Sequence, residues 1–286
     1  MSEFKINGNS GCDLTIFEEN GQLFVRKSSP SSSYNVRLKK QCTKQKQCHD
    51  NNAIKSITVP DAYFDMDNNQ IIMPYVYGQS FIDKFEHSTV EDVNYILNTL
   101  YEFINNELEQ CELKPIDKEV FIKKLMSIRE AGTSNVLVNN EDLQALTSKA
   151  IKYITSLNED ICLPVNVCHG DLTFSNIIFT NSKLCLIDFL DSFVETPLQD
   201  IIKLRQDTLY RWSLMMTNES DNYNSVRIMI ILKYMDSKID EEYTKYDWYV
   251  KYYNFLQFIN ILRIVPYVKT QEIYKYLINI LQSIEL

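Results

Sequence analysis

The sequence predicts an α+β fold: a small antiparallel sheet with one helix, then a larger and mostly helical region. Three observations predict it. Residues 4–27 break into short apolar runs separated by turn residues. A second strand pair follows before residue 74, across the polar turn Asp67-Asn68-Asn69. Beyond Gly78 apolar residues recur at helical spacing.

The first strands are Phe4-Lys5-Ile6, Cys12 to Phe17 and Leu23 to Lys27. Asn20-Gly21 joins the last two as a hairpin turn. Ser28 to Ser33 is a Ser/Pro linker, and the Lys/Gln-rich segment 33–48 has helical character. Ala62 to Asp65 and Ile71 to Met73 complete the sheet. Val93, Ile96, Leu97, Leu100, Phe103 and Ile104 form an apolar stripe that predicts a helix over 90–111. Further helices are expected at 117–131, 140–157, 197–215, 223–236, 243–264 and 270–284. Short strands at 165–168, 177–180 and 184–188 interrupt them.

The chain has 286 residues, 45% of them apolar, so it can bury a substantial core. Its net charge of −9 argues against nucleic acid and fits a cationic or neutral small substrate. No run approaches the ~18–20 apolar residues of a membrane span, and the N-terminus lacks a signal-peptide core. Seven cysteines without a Cys-x-x-Cys pair are expected to be reduced, and the location cytoplasmic. His49, His87 and His169 have no partners at metal-ligand spacing.

The chemistry concentrates in Cys168-His169-Gly170-Asp171-Leu172-Thr173-Phe174-Ser175-Asn176, followed by Leu186-Ile187-Asp188-Phe189. Asp171 should lie on a loop at a strand end, where its carboxylate can accept the proton of an alcohol. Asn176 offers a neutral oxygen and Asp188 a carboxylate, a donor pair that suits Mg²⁺ on a nucleotide's phosphates. Taken singly, each residue is most simply a turn cap. The ordered set carries the functional reading. His169 is read as a loop organiser, because Asp171 already fills the position of the base. Asp191 is balanced between contact with substrate and simple solvation. Asp200, in the first turn of a helix after Pro197, is read as structural, an anchor for the catalytic-loop backbone.

Lys27 ends an apolar strand and is the candidate phosphate lysine, with Arg26 replacing it if the register slips by one. Gly8-Asn9-Ser10-Gly11 offers backbone N–H groups and the Ser10 hydroxyl as a phosphate-covering loop, with Gly11 at its end. Met73, Tyr75 and Val76 flank Pro74 in a segment suited to reading a base through its backbone. The Val76 N–H is the candidate donor, since proline has none.

These residues resemble the aminoglycoside phosphotransferase and choline kinase-like family, with its His-Gly-Asp-Leu-x-x-x-Asn loop and Ile-Asp-Phe strand. The resemblance spans about Gly8 to Lys203 and is specific at 165–191. It implies a protein-kinase-like bilobal fold: an N-lobe at 1–73, a hinge at 74–78 and a C-lobe at 79–286. It also implies ATP (GTP not excluded), Mg²⁺ and transfer of the γ-phosphate to a hydroxyl of a small molecule. By position, Asp171 corresponds to the base, Asn176 and Asp188 to the metal ligands, and Lys27 to the phosphate lysine.

Two departures stand out. Segment 33–48 contains no glutamate to pair with Lys27; Gln41 or Gln45 can hydrogen-bond it but cannot neutralise it. This admits an alternative, a nucleotide-binding pseudokinase acting as a scaffold. Second, Asp171 has no lysine two residues on and no Ala-Pro-Glu follows Asp188, which argues against a protein kinase. For the acceptor, a sugar or amino sugar is favoured, with choline-like amino alcohols or aminoglycosides as alternatives. The aromatic run Trp248, Tyr249, Tyr252, Tyr253 and Phe255, with Arg263 and Tyr267 beyond it, reads first as packing and second as a substrate cage. The sequence specifies no oligomeric state.

Overall fold

A computed structural model describes residues 4–7, 12–29, 31–217 and 223–286. The expected phosphate-covering loop, with Ser10 and Gly11, lies outside the described residues.

The N-terminal region is a five-stranded antiparallel sheet carrying one long helix. Strands β1 (Phe4–Asn7), β2 (Asp13–Glu19) and β3 (Gln22–Ser28) run consecutively. Helix α1 (Asn35–Asn51) follows, then β4 (Ile57–Thr58), β5 (Tyr63–Asp65) and β6 (Gln70–Pro74). The sheet order is β1-β2-β3-β6-β5. The β2–β3 turn uses Asn20 and Gly21, both at positive φ, as a tight hairpin requires. Register fixes the face of each residue. Lys27 lies opposite Leu14 and Ile71, and is buried. Arg26 falls on the other face, with its guanidinium 5.0 Å from the Phe17 ring. A small core of Cys12, Leu38, Cys42, Ala62, Ile71 and Met73 joins sheet to helix.

Beyond β6 the chain is helical: α2 (Phe81–His87), α3 (Val90–Glu109), α4 (Lys118–Gly132) and α5 (Asn140–Ser156). Strands β7 (Glu112–Ile116) and β8 (Ile161–Val165) form a separate antiparallel pair. After the catalytic segment come β9 (Ile177–Phe179) and β10 (Leu184–Leu186), then α6 (Pro197–Thr208) and α7 (Trp212–Met215). Helices α8 (Ser225–Tyr243), α9 (Asp247–Leu262) and α10 (Gln271–Ser283) complete the chain. A single large core runs from Ile54 to Ile284 through all of these elements.

Several local expectations need correction. The strand expected at 165–168 lies earlier, at Ile161–Val165, where it pairs with β7. Residues 166–171 leave the ladder because other groups take their backbone bonds: the Asn166 N–H goes to the Glu195 carbonyl and the His169 N–H to Asp200. The helix expected over 197–215 breaks at Arg211, whose φ is 56°. Helix α2 was not foreseen, although Ser80 and Asp83 form a capping box at its start. The aromatic run on α9 packs inward: Trp248, Tyr249, Tyr253 and Phe255 are buried, while Tyr267 is exposed. All seven cysteines are free. Among the described residues no helix is long and apolar enough to cross a membrane.

Candidate active site

Helix α6 is the element that shapes the catalytic loop. Every residue of it is buried, including Asp200, Lys203, Arg205, Gln206 and Asp207. Buried polar groups need partners, and three of these find them on residues 169–174. Asp200, Lys203 and Asp207 are spaced three and four apart, on one helical face. Asp200 accepts the His169 N–H at 2.5 Å and the Gly170 N–H at 2.7 Å. Lys203 Nζ lies 2.8 Å from Asp171 Oδ1. Asp207 accepts the Phe174 N–H at 2.7 Å, and the Ser213 N–H and hydroxyl at 2.9 Å each. The anchoring expected of Asp200 is therefore present in atomic form. Lys203 is new: the lysine that sequence position did not supply beside Asp171 comes from a helix 32 residues on.

Gly170 makes this turn possible. Its φ is 83°, and an added Cβ would stand 2.2 Å from the Leu190 carbonyl oxygen. His169 ties the loop to the strand beyond it. Its Nδ1 accepts the Asp171 N–H at 3.2 Å, which leaves Nε2 to donate to the Ile187 carbonyl at 3.0 Å. Burial pushes the imidazole down to about 3, so His169 is neutral and both ring nitrogens are occupied. It cannot take a proton from substrate.

Asp171 has both carboxylate oxygens engaged. Oδ1 faces Lys203 and Oδ2 accepts from Asn176 Nδ2 at 3.0 Å. Burial alone would raise its proton affinity. The charges of Lys203 and Arg263 outweigh burial and hold the carboxyl below its ordinary value. Lys203 is itself pushed down by burial and by Arg263, with Asp171 opposing. The Asn176 amide nitrogen also donates to the Asp171 carbonyl at 2.8 Å. Its N–H groups are thus committed to Asp171, and its carbonyl oxygen remains for a cation.

Asp188 follows β10 at φ 62°, a left-handed conformation that is uncommon for aspartate and frequent at functional sites. Its Oδ1 lies 2.5 Å from Lys27 Nζ, which also donates to Gln41 Oε1 at 3.3 Å. Burial opposes the ammonium, but Asp188 outweighs it and keeps Lys27 above its ordinary value. Lys27 and Asp188 thus connect the sheet to the catalytic segment, and Gln41 stands on α1 facing the lysine. Gln45 turns elsewhere, to the Pro60 carbonyl and the Met73 sulfur.

The donor set fits Mg²⁺. Asn176 Oδ1 and the Asp188 carboxylate are two hard oxygen donors, and such a cation takes its remaining ligands from phosphates and water. No group of three or more His, Cys, Asp or Glu able to hold a metal exists among the described residues, so a closed protein cage is not built here.

In the linker after β6, the Tyr75 N–H goes to the Leu23 carbonyl at 2.9 Å, so it is not available to a ligand. No hydrogen bond engages the Val76 N–H among the described residues. The Met73 side chain packs in the small core. Gly78 permits the next contact: residues 79 and 179 exchange backbone hydrogen bonds at 2.8 and 3.0 Å, and a Cβ on Gly78 would meet the Phe179 carbonyl at 2.8 Å.

Asp191 is ion-paired, with Arg37 Nε at 2.6 Å. Another α1 residue, Lys44, crosses to the same segment and binds the Leu190 carbonyl at 2.5 Å and Glu195 at 2.7 Å. The helix that lacks a glutamate therefore reaches the catalytic segment through two cations. Neither was anticipated. The only trace in the sequence is the Lys/Arg content of the helix, which also describes a solvated face.

The geometry corresponds to known proteins. The model of the phosphotransferase enzyme family matches residues 128–222, which contain the whole catalytic segment. No curated protein sequence matches the chain. Solved structures do. A thermostable mutant of aminoglycoside phosphotransferase APH(4)-Ia is 10% identical at a TM-score of 0.59, over 99% of this chain and 94% of that one. Aminoglycoside phosphotransferase APH(2'')-Ib with ADP bound is 16% identical at 0.58, over 100% and 93%. An ethanolamine kinase from Plasmodium vivax is 13% identical at 0.58, over 100% and 82%. The chain thus has the protein-kinase-like fold, and its resemblance to the aminoglycoside phosphotransferase and choline kinase-like family holds in sequence and in structure. Together these findings support an enzyme of the small-molecule kinase class.

Proposed function

We propose that the protein transfers the γ-phosphate of ATP, with Mg²⁺, to a hydroxyl of a small molecule. The observation that carries this is the joining of four groups from separate elements: Lys27 to Asp188 at 2.5 Å, and Asn176 to Asp171 at 3.0 Å. Solved structures with this fold include one with ADP and hygromycin B and one with AMP-PNP and hygromycin B, consistent with a nucleotide and a small acceptor bound together.

In this reading Lys27 binds the α- and β-phosphates once nucleotide enters, exchanging part of its contact with Asp188 for phosphate oxygens. Asn176 and Asp188 would hold Mg²⁺, which when bound neutralises phosphate charge. Asp171 orients the acceptor hydroxyl and takes its proton as the bond to phosphorus forms. Its low proton affinity suits a loose transition state, in which the proton leaves late. Met73 and Val76 flank the nucleotide base, and Val76 supplies the backbone donor. Ser10 and Gly11 would cover the phosphates. Asp191 lies on the acceptor side.

The test is a phosphorylation screen with ATP and GTP across sugars, amino sugars, amino alcohols and aminoglycosides. Asp171→Ala should lower kcat by about 10²–10⁴-fold with the ATP KM little changed. Between pH 5 and 8 the wild-type rate should show no limb near the ordinary histidine value of ~6.5, because His169 stays neutral throughout. Full activity in Asp171→Ala would overturn the assignment. Nucleotide binding without turnover on any acceptor would instead indicate a scaffold.

A further inference from the structure

The chain is acidic overall, yet the surroundings of Asp171 are rich in cations. Four cations converge there from four elements: Arg37 of α1, Lys124 of α4, Lys203 of α6 and Arg263 at the end of α9. Three carboxylates bear on them, the third being Asp207, which acts on Lys203 from the same face of α6. Asp191 takes Arg37 at 2.6 Å and Asp171 takes Lys203 at 2.8 Å. Lys124 and Arg263 are left over. Both are half-buried, and neither side chain has an ion pair or hydrogen bond among the described residues.

These two groups share one neighbourhood. Arg263 is influenced by Asp171, Arg37, Asp191 and Tyr267, and Lys124 by Arg263, Arg37 and Asp191. Burial and then like charge weaken the basicity of Lys124, and burial chiefly that of Arg263. Helix α4 packs on the 265–267 turn, which Asn135 pins through the Pro266 and Val268 carbonyls at 3.0 and 2.9 Å. The segment after Arg263 is therefore held in place. Cations gathered out of water with fewer carboxylates than cations around them are unfavourable unless a ligand supplies the missing negative charge.

We propose that the acceptor is an anion: a hydroxyl compound bearing a carboxylate or phosphate, which Arg263 and Lys124 bind while Asp171 faces its hydroxyl. This rests on the phosphotransferase reading of the same site and narrows its acceptor. It replaces the cationic or neutral substrate that the net charge suggests, because recognition follows the local field and not the sum over the chain. Arg263 suits this role, since its planar fork pairs two-to-two with carboxylate or phosphate oxygens.

The experiment uses the full chain with matched probes: glucose, glucosamine, glucuronate, glucose 6-phosphate, choline and kanamycin. Binding is measured by thermal shift in the presence of ADP and Mg²⁺, and transfer is measured with labelled ATP. The expected result is binding and transfer for glucuronate or glucose 6-phosphate above glucose, with glucosamine and choline weakest. Glucuronate and glucose 6-phosphate separate carboxylate from phosphate recognition. Arg263→Gln and Lys124→Gln should each raise the KM for the anionic probe about tenfold or more, with the ATP KM within about twofold. Equal or better use of the cationic probes would overturn the anion assignment and leave the kinase reading standing. Anion binding without transfer would do the reverse. A fall in kcat shared equally by all acceptors would also overturn it, by making Arg263 a clamp on the transferring phosphoryl group. Absence of any preference for the anionic probes, in binding and in transfer, overturns it as well.

Discussion

The two sides of the Lys27–Asp188 contact are held in place by different means. On one side, the loop 169–176 is fixed by buried charge-assisted bonds to one helix, with three side chains of α6 binding residues 169, 170, 171 and 174. On the sheet side, Lys27 has one carboxylate, which is itself a candidate metal ligand, and one neutral amide. The core beneath it is small, while the core beneath the loop runs through the whole helical region. The candidate base is therefore positioned before any ligand arrives, whereas under the proposed function the clamp at Lys27 is completed by its ligand. Lys27 pairs with Asp188 because no glutamate on α1 competes for it, and phosphate oxygens can take over that contact.

The largest test of this contrast is Asp200→Ala. It would remove the acceptor of two buried N–H groups and leave Lys44 with less compensating charge. A loss of roughly 3–5 kcal/mol in unfolding free energy is expected, with a collapse of transfer activity. Chemical denaturation of the variant measures it. A cost below about 1 kcal/mol would mean that the loop is held by the core instead. Gln41→Ala on the sheet side should cost far less, because its contact with Lys27 is long at 3.3 Å.

Gly170→Ala comes next. The substitution forces a side chain into positive φ and against the Leu190 carbonyl. About 1–3 kcal/mol of destabilisation is expected from the strained backbone. Movement of Asp171 by a fraction of an ångström should cut kcat about 10–100-fold with the nucleotide KM preserved. If ATP affinity fell as much as kcat, the two sides would be coupled more tightly than the contact pattern implies.

How much was legible in the sequence follows the same division. The sheet was readable because its strands alternate and an Asn-Gly turn sets the register. The proposed base and metal ligands stand out in the sequence because they lie within eighteen residues of one another, from Asp171 to Asp188. The β7–β8 pair was missed because Pro115 and Pro164 disguise both strands, and β4 because two residues carry no pattern. The cations around Asp171 were invisible for a different reason. Arg37, Lys124, Lys203 and Arg263 lie far apart in the chain, and each looks like a solvated cation until the fold gathers them. One trace existed: Asp200, Lys203 and Asp207 share a helical face, three and four residues apart.

The smallest expected effect concerns a proton beneath the loop. Glu107 is buried next to Asp200, and one of its carboxylate oxygens has no hydrogen-bond partner. Burial and then the Asp200 charge raise Glu107 well above the ordinary range, while burial moves Asp200 up to about 7 against the pull of Lys44 and the loop N–H groups. Asp200 needs its negative charge for those N–H groups, so the shared proton resides on Glu107. The folded state binds a proton that the unfolded chain has released above ~4, so stability is fully present below that pH and is lost as pH rises through the raised value of the buried pair. Glu107→Gln mimics the protonated form and should flatten this decline between pH 5 and 8, leaving the variant at least as stable as wild type at pH 8. Urea unfolding at several pH values measures the slope. An unchanged slope would place the proton elsewhere. Its loss together with activity would mean that the carboxyl pair also sets the position of the catalytic loop.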